Sequence, residues 1–134
     1  MYLSLLNNRQ KELFLMMAYH LANTDGDFSE SEQMMMNSYA GEMGISPDIG
    51  KTDMGISEVV DELCSTAGKR EKRIIVFELI GLAMADCNYD ASERKVIREM
   101  VEKCGIDTEF EKFCEKKLTE YLELQSALNE MILN

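Results

Sequence analysis

Two short stretches of this 134-residue chain concentrate oxygen donors. Asp25, Asp27 and Glu32 stand close together, and Asp86, Asn88, Asp90 and Glu93 do so further on. Clustered carboxylate and amide oxygens suit a hard cation such as Ca²⁺, Mg²⁺ or Mn²⁺. These seven residues are therefore the candidate metal ligands, and a divalent cation is the candidate cofactor. The spacing begins like an EF-hand and then departs from it: the glutamate arrives too early, and the glycine of that loop's sharp turn is missing. A second chemistry fits the same positions. Ser29 with Glu32, and Asp90 with Glu93, have the form of capping boxes, with Phe28 and Tyr89 as hydrophobic staples. Capping does not account for Asp25 and Asp86, each of which follows a helical stretch, where the macrodipole disfavours negative charge by about 0.3–1 kcal/mol. A cation, turn amides or a basic side chain from the other stretch would compensate them.

Two further polar residues stand apart. Glu78 interrupts an apolar run, and a buried carboxylate must be paired, hydrogen-bonded or protonated. His20 is the only histidine, and with no cysteine pair beside it cannot build a zinc site. No GxSxG, HExxH or phosphate-cradling glycine loop is present, so no catalytic residue is assigned. An enzyme using Glu78, Asp25 or Asp86 as acid or base is the weakest of three functional readings.

The elements that must position these residues are helices. Leu6, Leu13, Phe14, Met17 and Leu21 recur at three and four, predicting a first helix from Leu3 to Asn23. A second opens at Ser29 and ends near Gly44. Ile45 to Gly55 carries the only proline and two glycines and reads as a linker. A short helix from Ser57 to Ala67 follows, then Ile74 to Ala85, apolar nearly all round and expected to be the buried central helix. Asp107 or Thr108 can cap a last helical region reaching about Ile132, either one helix or two with a bend near Lys116. In the Met34 to Met36 triplet, Met35 is expected to face inward with Tyr39 while at least one neighbour points out. The expected fold is all-α, a compact bundle of about six to seven helices in one domain over residues 1–134.

The two acidic stretches also align without a gap. Leu21, Ala22, Asp25, Ser31, Glu32, Gly44 and Ile45 fall on Leu82, Ala83, Asp86, Ser92, Glu93, Gly105 and Ile106. This predicts an internal repeat, the first copy over about residues 10–47 and the second over about 71–108, with the C-terminal region following.

A net charge of −11 and a pI near 4.5 repel a phosphate backbone over most of the surface, so nucleic acid is not expected as a direct partner. The one dense basic stretch, Lys69, Arg70, Lys72 and Arg73, is read as a solvated face, or else a dock for an acidic partner. Cys64, Cys87, Cys104 and Cys114 form no CxxC pair and are expected to be reduced structural thiols. Residues 1–14 lack the pattern of a signal peptide and no run reaches membrane-spanning length, so a cytoplasmic address without membrane insertion is expected.

The run from Ala22 to Glu32, ANTDGDFSESE, resembles the signature of TerB-like domains, the family of the tellurite-resistance proteins and of the amino-terminal domain of a membrane-anchored DnaJ-like co-chaperone. The run from Ala83 to Glu93, AMADCNYDASE, resembles its second copy. The resemblance covers roughly Lys11 to Ile106, and Cys87 stands where the family often has glycine. It implies an all-helical fold with pseudo-twofold symmetry, acidic motif positions at Asp25, Glu32, Asp86 and Glu93, and an interaction or metal-associated role in stress responses. The leading functional expectation is thus a non-enzymatic module that binds a protein partner, with a cation in the paired loops. The alternative is a metal-free adaptor whose acidic loops only cap helices.

Overall fold

The computed structural model describes residues 2–24, 30–51, 54–84 and 89–134. Six α-helices follow in chain order: α1 (Asn8–Ala22), α2 (Glu30–Met43), α3 (Ile56–Thr66), α4 (Lys69–Ala83), α5 (Ala91–Lys103) and α6 (Thr108–Leu133), with short 3-10 helices at Leu3–Leu5 and Pro47–Gly50. No strand occurs among the described residues, and the fold class is all-α as expected.

The first helix does not begin at Leu3. Asn7 stops it: its side chain accepts from the Gln10 amide at 2.8 Å, while the Gln10 side chain accepts from the Asn7 amide at 2.9 Å. This reciprocal cap satisfies two otherwise orphaned donors and lets Leu3–Leu5 turn separately, burying Leu3 and Leu6. At the other end, α6 runs unbroken past Lys116, since neither proline nor glycine interrupts it. Its start is set by Asp107, whose carboxylate accepts from the Glu109 amide at 2.9 Å.

α1 and α4 form the centre. α1 packs against α2, α3 and α4, and α4 also meets α5 and α6. Leu13 to Ala18 is buried at every position, so α1 is wrapped as fully as the expected central helix α4, where Ile75, Val76, Leu79 and Ile80 have no exposed surface. Leu13, Phe14, Met17 and Leu21 of α1, and Leu6 before it, are all in the core. The linker contributes too: Pro47–Gly50 lies against α1 so closely that a Cβ on Gly50 would stand 3.1 Å from the Leu15 carbonyl. Only glycine permits that approach without a shift.

Within the methionine triplet the inward residue is Met36, not Met35. Met36 is buried with Tyr39, Met34 is exposed, and Met35 is half-buried beside them. The expectation of four reduced cysteines also fails: Cys64, near the end of α3, is bonded to Cys104, the C-cap of α5, with Cα atoms 4.8 Å apart. The two lie 40 residues apart in sequence, and the packing of α3 on α5 alone brings them together. Cys114 is a free, buried thiol, as expected, and burial pushes its pKa up to about 11.

Candidate functional site

Of the seven candidate ligands, Asp25, Asp27, Asp86 and Asn88 lie outside the described residues, as do Ser29 and Phe28. Glu32 and Glu93, aligned in the two halves, are both buried in the first turns of α2 and α5. Asp90 is the N-cap of α5. One of its oxygens accepts from the Glu93 amide at 2.8 Å and from the Ser92 hydroxyl at 2.8 Å. Hydrogen bonds from the Glu93 amide and then the Ser92 hydroxyl hold the Asp90 carboxyl below its ordinary pKa. This half of the loop does what a cap does. Among the described residues no group of three or more histidine, cysteine or acidic side chains gathers to hold a metal.

The staple position Tyr89 is half-buried, its ring 4.1 Å from the Arg94 guanidinium carbon. Burial and the carboxylates of Glu115 and Glu111 push its phenol pKa up. His20 Nε2 donates to the Met54 carbonyl at 2.9 Å, tying α1 to the segment before α3.

Glu78 does not reach the surface. It is buried in α4, and its Oε1 accepts from the Tyr2 amide at 3.2 Å. Glu42 on α2 takes the next amide, Leu3, at 2.9 Å. The two carboxylates thus clamp consecutive main-chain donors and seat the Leu3–Leu5 turn. Tyr39 closes the wall between them: its hydroxyl donates to the Glu78 carbonyl at 3.2 Å, and its ring meets Phe14 edge to face at 5.3 Å.

Above this wall lies a groove of about 550 Å³ between α2, α4 and α6. Its floor and sides are mainly apolar, with Met35, Tyr39, Phe77, Met84, Leu118 and Leu122 foremost. Gly81 leaves the floor open, since a Cβ there would meet nothing nearer than the Tyr39 hydroxyl at 4.0 Å. Glu42 and Glu78 are on its walls, Glu123 lines the adjoining depression beside Met84, and Lys117 is its one basic residue. Sequence reading had no access to this groove, because its sides come from three helices far apart in the chain. Met35, expected to face inward with Tyr39, lines this groove instead.

The basic stretch opens α4 and flanks a second depression of about 700 Å³, lined by Tyr2, Leu5, Phe77, Phe110 and Phe113 with Lys69, Arg70 and Arg73. The Arg73 guanidinium carbon stands 5.2 Å from the Phe110 ring centre. No described helix is long and apolar enough to cross a membrane. No family model, no curated protein and no solved structure matches the chain.

Proposed function

We propose that the protein is a non-enzymatic protein-binding module of TerB-like type, and that the groove between α2, α4 and α6 receives the apolar face of a basic amphipathic helix. The carrying observation is the groove itself: an apolar, methionine-containing trough walled by helices, with Glu42 and Glu78 among its few polar lining residues, on a chain of net charge −11. Helix-in-groove recognition uses such a trough, and methionine adapts its shape to the side chains that enter. The acidic surroundings favour a partner with lysine or arginine beside its apolar stripe. Glu78 and Glu42, the carboxylates an acid or base mechanism would draw on at this groove, are engaged by main-chain amides, which supports binding over catalysis. The Asp90 cap supports reading the acidic loops first as helix starts.

The test is a fluorescence anisotropy titration with a labelled amphipathic helix of leucine and lysine. Saturable binding is expected, at least tenfold weaker for Gly81→Leu, whose side chain fills the floor. A scrambled peptide of equal charge that binds as well, or a Gly81→Leu protein that binds unchanged, would remove the groove from the account.

A further inference from the structure

α6 leaves the body of the protein before it ends. Its inward residues, Glu111, Cys114, Leu118 and Leu122, are buried or partly so, whereas every residue from Glu123 to Asn134 is exposed. The eleven helical residues from Glu123 to Leu133 extend about 16 Å. This tail is far from polar: Leu124, Leu128, Met131, Ile132 and Leu133 are each half or more exposed. All but Leu133 fall on one face of the helix and offer on the order of 500 Å² of apolar surface, at the upper end of what a monomer leaves in one patch. Its charge is one-sided, with Glu123 and Glu130 and no lysine or arginine.

The opposite composition lies at the other end of the same helix. The depression of Tyr2, Leu5, Phe110 and Phe113 is apolar, with Tyr2, Leu5 and Phe113 about half exposed, and Lys69, Arg70 and Arg73 line it, Arg70 bound to Glu71 at 3.0 Å. Here the dense basic stretch and exposed aromatics coincide on an otherwise acidic protein. Phe113, Lys117, Tyr121, Leu124, Leu128 and Met131 recur at three and four residues, so depression and tail share one stripe of α6.

We infer that this stripe is a self-association surface: the α6 tail of one copy packs antiparallel on a second copy, entering its basic aromatic depression, and the second tail does the same in return. Antiparallel pairing about a twofold axis close to Tyr121 sets Phe113 of each copy near Leu128 of the other, and carries Glu130 toward the end of α6 where Lys69 and Arg73 line the depression. Both patches on each chain are covered, which brings the buried surface near the roughly 800 Å² per partner of a standard interface. The contact is made twice and closes on itself, so it yields a dimer and not a filament. A tail pairing with an identical tail would set glutamates against glutamates, and charge complementarity selects the depression. Lys117 and Tyr121 also line the α2, α4 and α6 groove, so the seam borders that groove, but the inference rests on the tail and the basic depression and not on the groove's occupant.

Sedimentation velocity from low micromolar to near-millimolar concentration tests it. The expected result is a monomer–dimer equilibrium that weakens with added salt. Leu128→Glu with Met131→Glu in the tail, and separately Lys69→Glu with Arg70→Glu at the depression, should each weaken dimerisation at least tenfold while leaving helicity by circular dichroism intact. Mixing the two variants should restore association above either alone, because one pair of intact surfaces meets in the mixed dimer. A chain that stays monomeric throughout overturns the inference. So does a dimer lost in the tail variant but untouched by the charge reversals, which would mean that tails pair with each other.

Discussion

Cys64 and Cys104 join α3 to the end of α5 across 40 residues of chain. Closing a loop of that length restricts the unfolded chain and contributes about 4 kcal/mol on the chain-entropy model. Reduction, or Cys64→Ser with Cys104→Ser, should therefore lower the urea midpoint of unfolding clearly, and in the double variant added reductant should change nothing further. An oxidised protein whose midpoint is insensitive to reductant would show that the bridge is not what fastens these helices.

Cys114 should behave oppositely. It is buried on α6, and burial raises its pKa to about 11, so near neutral pH little thiolate forms and alkylation of the native protein is slow. Mass spectrometry after timed iodoacetamide treatment should find Cys114 modified only as the chain unfolds. Rapid native labelling would contradict its packing against the core.

The Leu3–Leu5 turn predicts a stability effect near the start of the chain. Leu3 is wholly buried, and its amide is held by Glu42. Leu3→Ala should cost about 3 kcal/mol, within the range for a leucine truncated in a packed core. Asn7→Ala should cost about 1 kcal/mol through loss of the α1 cap. Denaturant midpoints for the two variants give the comparison, and equal small losses would mean that the turn is not docked.

Acid stability should report on Asp90. Hydrogen bonds from the Glu93 amide and the Ser92 hydroxyl lower its folded pKa below that of the unfolded chain, so its contribution is present above the ordinary aspartate pKa and fades as pH falls through the folded value. Asp90→Asn keeps a capping oxygen without the titration. Thermal melts of the two proteins should therefore show less acid sensitivity for Asp90→Asn over that low-pH window, and parallel curves would refute the cap.

For the acidic loops, calorimetric titration with Ca²⁺, Mg²⁺ and Mn²⁺ is expected to give no saturable heat that Asp25→Asn with Asp86→Asn removes, because Asp90 already serves the start of α5. Saturable binding abolished by that double substitution would return the loops to cation binding.

Much of the helical scaffold was legible because its signals are local. Apolar residues at three and four placed the core of α1, the apolar run marked α4, and Asp90 and Asp107 stood where α5 and α6 begin. Asn7 and Gln10 carried the same kind of signal, but the apolar residues before them masked it. What was not legible is tertiary. Cys64 and Cys104 share no spacing rule, Glu78 meets an amide 76 residues away, and the groove walls come from three separated helices. The loop residues Asp25, Asp27, Asp86 and Asn88 lie outside the described structure, so their expected role stays with the titration.

Gly44 and Gly105, opposite one another when the two halves are aligned, turn the chain with φ of 70° and 67°, and a Cβ at either would touch nothing within 4 Å. Space is therefore not what demands glycine at these two corners; handedness is. An L-alanine would be strained there despite the room around it, while a D-alanine introduced by chemical synthesis would meet the same backbone without penalty and would stiffen the unfolded chain. The two corners are places where mirror-image chemistry should yield a more stable protein than any of the other nineteen encoded amino acids can.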